Sequence, residues 1–122
     1  MYTAYLLEKE SREYLLKMFP PKYGHFLGHH ITVEFGVTED HPLPKEADIH
    51  ILSHVDSGDG IECFLVSIND SVKRPDGGFY HLTWSLKPER YKPVDSNRLL
   101  KHWLGRGVDI PILVRGEPQL LR

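Results

Sequence analysis

The chain has 122 residues, with 15 basic and 17 acidic side chains, a net charge of −2 and 40% hydrophobic content. That suits a single domain over residues 1–122 with a real core, and its slightly acidic balance excludes the broad positive field of a dedicated binder of long nucleic acid. The lone cysteine, Cys63, excludes an intrachain disulfide; with no apolar run near the roughly 20 residues of a membrane span and no basic flank of a signal peptide at the start, a soluble cytoplasmic protein is expected.

Tyr2 to Leu7 reads as an opening strand, apolar though imperfectly alternating. From Ser11, a candidate N-cap, the pattern turns helical: Leu15, Met18 and Phe19 fall on one stripe, while Arg12, Glu13 and Lys17 face water. Pro20-Pro21 stops that helix. The loop Lys22 to Gly28 then enters Gly28-His29-His30-Ile31-Thr32-Val33-Glu34-Phe35-Gly36, which reads as a strand. Side chains alternate across a strand, so His30 and Thr32 share one face, and His29, Ile31 and Val33 the other.

A polar, proline-bearing connection follows, then apolar runs from Asp48 to Val55 and Ile61 to Ile68 around Asp56-Ser57-Gly58-Asp59-Gly60, the pattern of a hairpin. The loop Asn69 to Gly78 leads into Phe79-Tyr80-His81-Leu82-Thr83-Trp84-Ser85-Leu86. Here His81 and Thr83 share a face, with Leu82 and Trp84 as apolar backing and Tyr80 facing away. A second helix starts near Asp95 or Ser96, with Leu99, Leu100, Trp103 and Leu104 as its stripe and Gly105 as its stop. Val108 to Val114 reads as a final strand, placed at an edge or bulge by Pro111. The expected order is β-α-β-β-β-β-α-β.

His-x-Thr-x therefore occurs twice, at His30 to Val33 and His81 to Trp84. Among eight histidines one copy would carry little weight, but two inside apolar strand-like runs are hard to obtain by chance. In this pairing the chain resembles the 2H phosphoesterases, a family named for the motif. The resemblance implies an α+β fold, two-lobed and pseudo-symmetric, mainly of antiparallel sheets with two main helices, in a compact version whose motif strands meet in a central cleft. It also implies a metal-independent phosphodiesterase without a cofactor, with His30 and His81 as the acid-base pair and Thr32 and Thr83 on the phosphate. The first substrate expected is an RNA-derived or nucleotide 2′,3′-cyclic phosphate; cyclic oligonucleotides and 2′,5′-linked signals are the alternatives.

The chemistry suits these residue types. Opening a cyclic phosphate requires a water deprotonated on one side of phosphorus and a leaving oxygen protonated on the other. Imidazole, with an ordinary pKa of about 6.5, serves both tasks, and threonine hydroxyls hydrogen-bond the non-bridging oxygens as charge gathers there. Tyr23 and Phe26, ahead of the first motif, are candidate stacking surfaces for a base. Lys73 and Arg74, ahead of the second, are candidate phosphate contacts, against the plain reading of Pro75-Asp76-Gly77-Gly78 as turn chemistry. The expected partner is a small nucleotide or short RNA, not a long duplex or a membrane. Three readings compete: a non-catalytic module for nucleotides or RNA ends, a structural protein whose His-Thr strands merely pack, and a zinc site. Zinc would draw on His25, His29 and His30, or on His50 and His54, but no cysteine pair or His-Glu-x-x-His completes a ligand set.

Overall fold

A computed structural model of the protein describes the backbone of residues 1–102 and 106–122, and their side chains except those of 106–110. The elements run β1 (Tyr2–Leu7), α1 (Lys9–Met18), β2 (His25–Phe26), β3 (His30–Phe35), β4 (Ile49–Asp56), β5 (Ile61–Ile68), β6 (His81–Leu86), α2 (Asp95–His102), β7 (Arg106–Val114) and β8 (Gly116–Leu121). The fold is α+β, with two helices and one curled antiparallel sheet in the order β7-β4-β5-β6-β3-β1-β8, β2 pairing beside β6. Among the described residues no helix is long and apolar enough to cross a membrane.

The curl follows from the connectivity. β7 and β8 occupy opposite ends of the strand order yet are separated in the chain only by Arg115, so the end of β7 and the start of β8 must lie close together. Gly116 sits in that closure: a Cβ there would fall 2.7 Å from the Tyr5 Cβ on β1 and 3.1 Å from Ile49 Cδ1 on β4. The Arg115 backbone is tied down on the same side, its N–H donating to Ser11 Oγ at 2.8 Å and its carbonyl accepting from Glu8 at 2.9 Å.

The main core gathers Tyr5, Ile31, Ile51, Phe64, Val66, Leu82 and Trp84 from five strands with Leu15 from α1. Trp84 is fully buried, edge-on to Phe26 and Phe64, and its indole N–H donates to the Phe19 carbonyl at 2.8 Å. Burying such an aromatic contributes about 3 kcal/mol, and the bonded indole escapes the cost of an unpaired donor. α2 lies against the opposite face of β6, with Leu100 packed on Val55 and Cys63.

Several local expectations change. Helix α1 starts at Lys9 with Glu8 at its cap position, so Ser11 lies inside the helix and its hydroxyl serves Arg115 instead. Met18 is exposed; Leu16 and Phe19 flank Leu15 at the core. β2 and β8 are additional strands, both too short or too polar to show periodicity. Pro111 lies in β7, which pairs only with β4, where the register jumps from Ile51↔Ile112 to Ser53↔Gly107. An edge strand with an irregular step accommodates a residue that lacks an N–H. Trp103, Leu104 and Gly105, expected to extend and end α2, lie outside the described residues.

Candidate active site

β3 and β6 meet at one paired position, Ile31 opposite Leu82, whereas β1 with β3 and β5 with β6 pair over most of their length. The sheet is thinnest at this seam. On either side of that pair, strand alternation turns His30 and Thr32 on β3, and His81 and Thr83 on β6, to the face opposite Ile31 and Leu82. All four side chains line one cleft of about 320 Å³. Ile31, Leu82 and Trp84 lie behind them in the core.

The β6 half is held from two sides. His81 Nδ1 lies 3.0 Å from the Phe79 carbonyl. A carbonyl only accepts, so the neutral ring carries its proton on Nδ1 and leaves Nε2 as its free nitrogen. Thr83 Oγ1 lies 2.8 Å from Ser96 Oγ and 3.3 Å from the Pro93 carbonyl, both supplied by the entry to α2. Burial lowers the His81 pKa; the Phe79 carbonyl opposes this and the Arg74 charge adds to it.

The β3 half is built differently. After β2 the chain continues along β6, Leu27 and Gly28 donating to the Trp84 and Thr83 carbonyls at 2.8 and 3.0 Å. Gly28 then takes φ +56°, and a Cβ there would fall 2.8 Å from the Trp84 ring. Glycine meets both demands. Arg12 reaches over from α1, donating to the carbonyls of Leu27 at 2.6 Å and Gly28 at 3.1 Å and lying 4.3 Å from the centre of the Phe26 ring. Arg12 was expected to face water; it is instead the clamp on the approach to the first motif.

The kink at Gly28 also corrects His29. Strand alternation starts only at His30, so His29 is not sent to the opposite face; it lines the cleft, its Nδ1 2.8 Å from that of His30. One ring donates and the other accepts, and the neutral acceptor ring carries its proton on Nε2. Burial, followed by the charges of His29 and His81, pushes the His30 pKa down to about 4.

The cleft walls come largely from residues the sequence does not mark. Tyr2 lies 5.4 Å from the His30 ring and 5.5 Å from Phe35, centre to centre, and both aromatics line the cleft. Pro93, Val94 and Asn97 close the α2 side. Tyr2 and Phe35 pair across β1 and β3, a juxtaposition set by sheet register alone.

Tyr23 and Phe26 do not line this cleft. The Tyr23 hydroxyl donates to Asp56 at 2.7 Å, beside the Lys22–Asp56 ion pair at 2.6 Å, at the far end of β4. Burial and then the bond to Asp56 push its phenol up to about 12. Phe26 is held between Trp84 and Arg12. Lys73 is exposed, 5.4 Å from the centre of the Phe79 ring, and lines neither the cleft nor the cavity beside it. Arg74 is buried, its Nε 3.1 Å from Asp76 and its guanidinium carbon 5.4 Å from the centre of the Phe35 ring.

Among the described residues no three His, Cys, Asp or Glu side chains come together as metal ligands. Glu62 is fully buried outside the cleft, accepting from the Lys22 backbone N–H at 2.6 Å, from His54 Nε2 at 2.7 Å and from the Ser85 hydroxyl. Three donors match a buried carboxylate, which makes this a structural tie between β4, β5, β6 and the loop after α1. No family model matches the chain, and neither a curated protein nor a solved structure matches it significantly.

Proposed function

We propose that this protein is a metal-independent phosphodiesterase of the 2H type, acting on a nucleotide or RNA-derived phosphodiester, first a 2′,3′-cyclic phosphate. The observation that carries the reading is the placement of His30, Thr32, His81 and Thr83 around one cleft at the seam of β3 and β6. The two motifs flank the Ile31–Leu82 pair, an arrangement that supports the reading of two motif strands meeting in one cleft.

With phosphorus between the rings, one neutral imidazole takes the proton of the attacking water and the other, protonated, supplies one to the departing ribose oxygen. The phosphate's negative charge counters the burial that depresses both rings, so substrate itself favours the protonated partner. Thr32 donates its hydroxyl to a non-bridging oxygen, and Thr83 does the same by turning its single O–H from the Pro93 carbonyl while accepting from Ser96 Oγ; the non-bridging oxygens need such donors most as charge gathers. Tyr2 and Phe35, in place of Tyr23 and Phe26, offer an aromatic wall for the base.

The test is mass spectrometry of a short RNA ending in a 2′,3′-cyclic phosphate, incubated in excess EDTA with wild type, His30→Ala and His81→Ala. Cyclic dinucleotides and 2′,5′-linked oligomers run beside it. Wild type should add one water and both variants should fail while folded. If binding occurs without turnover of any of these substrates, the protein is a nucleotide-binding module and the catalytic reading is lost.

A further inference from the structure

A second cavity of about 350 Å³ adjoins the cleft, lined by Arg74, Asp76, Gly77, Gly78, Phe79 and the α2 residues Asn97 and Lys101. Asn97 lines both spaces. Phe79 lines the second cavity and holds His81 through its carbonyl, while Arg74 lines it and approaches the ring of Phe35, a residue of the first. The two spaces therefore share a wall.

That wall contains an unusual charge. The Arg74 side chain is 6% exposed, and among the described residues its Nη1 is buried with no hydrogen-bond partner. Guanidinium N–H groups are costly to bury unmatched. The loop fits closely around this group: a Cβ on Gly78 would fall 2.3 Å from Nη2, and Asp76 holds Nε. Asn97 and Lys101 are four residues apart on α2, so they lie on one helical face. Two cations against the single Asp76 carboxylate leave one net positive charge, the complement of one phosphodiester.

Building on the phosphodiesterase reading, we infer that this second cavity binds the phosphodiester adjacent to the scissile phosphate, so the preferred substrate is a linear dinucleotide or longer RNA end rather than a mononucleotide. Arg74 supplies the buried guanidinium charge in the cavity wall, Lys101 an exposed ammonium at the rim, and Asn97 an amide between the two phosphate positions. This assigns to Arg74 a phosphate separate from the one between the histidines.

Calorimetric binding of two uncleavable ligands tests the inference: 2′-deoxyadenylyl-(3′→5′)-adenosine 3′-phosphate, whose internal diester lacks the neighbouring 2′-hydroxyl nucleophile, and the same dinucleotide with that diester replaced by an uncharged methylphosphonate. Wild type should bind the charged diester about tenfold more tightly, the scale of one charge-assisted contact. In Lys101→Ala, an exposed position whose change leaves the fold in place, that preference should fall to about threefold or less. Arg74→Gln, with folding checked by circular dichroism, should abolish it. Equal wild-type affinity for the two ligands overturns the second site whether or not hydrolysis occurs. A retained preference with no hydrolysis of any cyclic phosphate overturns the catalytic reading alone.

Discussion

β3 and β6 carry the same His-x-Thr-x motif, yet the fold supports the two copies in different ways. On β6 both polar groups are tied to backbone and helix: His81 to the Phe79 carbonyl, Thr83 to Ser96 and Pro93. On β3 His30 leans on a second, exposed histidine, and among the described residues no side-chain hydrogen bond engages the Thr32 hydroxyl. One half is preorganised by hydrogen bonds; the other is positioned from behind, by the Gly28 kink and the Arg12 clamp. The two copies of the motif thus line one cleft with different local energetics, because the proposed reaction would constrain only the side chains that face the cleft.

The largest expected effect treats the two halves as equals. His30→Ala and His81→Ala should each lower kcat by about 10²–10⁴-fold in the cyclic phosphate assay while the circular dichroism spectrum is unchanged, since each removes one proton-transfer group. A loss confined to one histidine would break the symmetry of roles.

The threonines should separate the halves. Thr83→Val leaves the fully buried Ser96 hydroxyl without its partner, so urea unfolding should show a loss of about 1–3 kcal/mol. Thr32→Val removes no internal bond among the described residues and should stay within about 0.5 kcal/mol of wild type, its cost appearing in kcat. Equal destabilisation by both would show that the asymmetry is not energetic.

Arg12→Ala sharpens the contrast from outside the cleft. It frees the carbonyls of Leu27 and Gly28, and kcat should fall by about tenfold through misplacement of His30. In proton spectra the His30 resonance should move and that of His81 should stay.

The pH dependence of stability tests the same contrast without a substrate. Burial and neighbouring charge hold His30 at about 4, and burial also lowers His81, whereas an unfolded imidazole takes a proton near about 6.5. Between those values the unfolded state binds more protons, so this stability is complete above pH ~6.5 and is lost as pH falls toward about 4. Thermal midpoints should drop over that window, less steeply in His30→Gln. His29→Ala, which removes one opposing charge, should move the His30 titration upward.

Much of the fold was legible locally. The bounds of β1 and β5 follow from apolar runs, and the helix stop at Pro20-Pro21 and the start of α2 near Asp95 follow from residue chemistry. The orientation of His30, Thr32, His81 and Thr83 followed from strand alternation, a property of the backbone that needs no tertiary context. Tyr2, Phe35 and Asn97 carried no such signal, being aromatic or amide residues of ordinary strands and a helix until register and docking bring them to the cleft. Tyr23 lies away from the cleft because proximity in sequence to a motif does not fix direction, and the loop after α1 sends it to Asp56.

The amino-acid order therefore determines which polar side chains each motif strand carries and on which face, because a period of two is built into extended backbone. Which two strands lie side by side, what anchors Thr83, and where the Gly28 kink throws His29 are decided by tertiary pairing. Those outcomes depend on long-range pairing and on close approaches such as Gly28 on Trp84 and Gly116 on Tyr5, where a single missing Cβ sets the geometry.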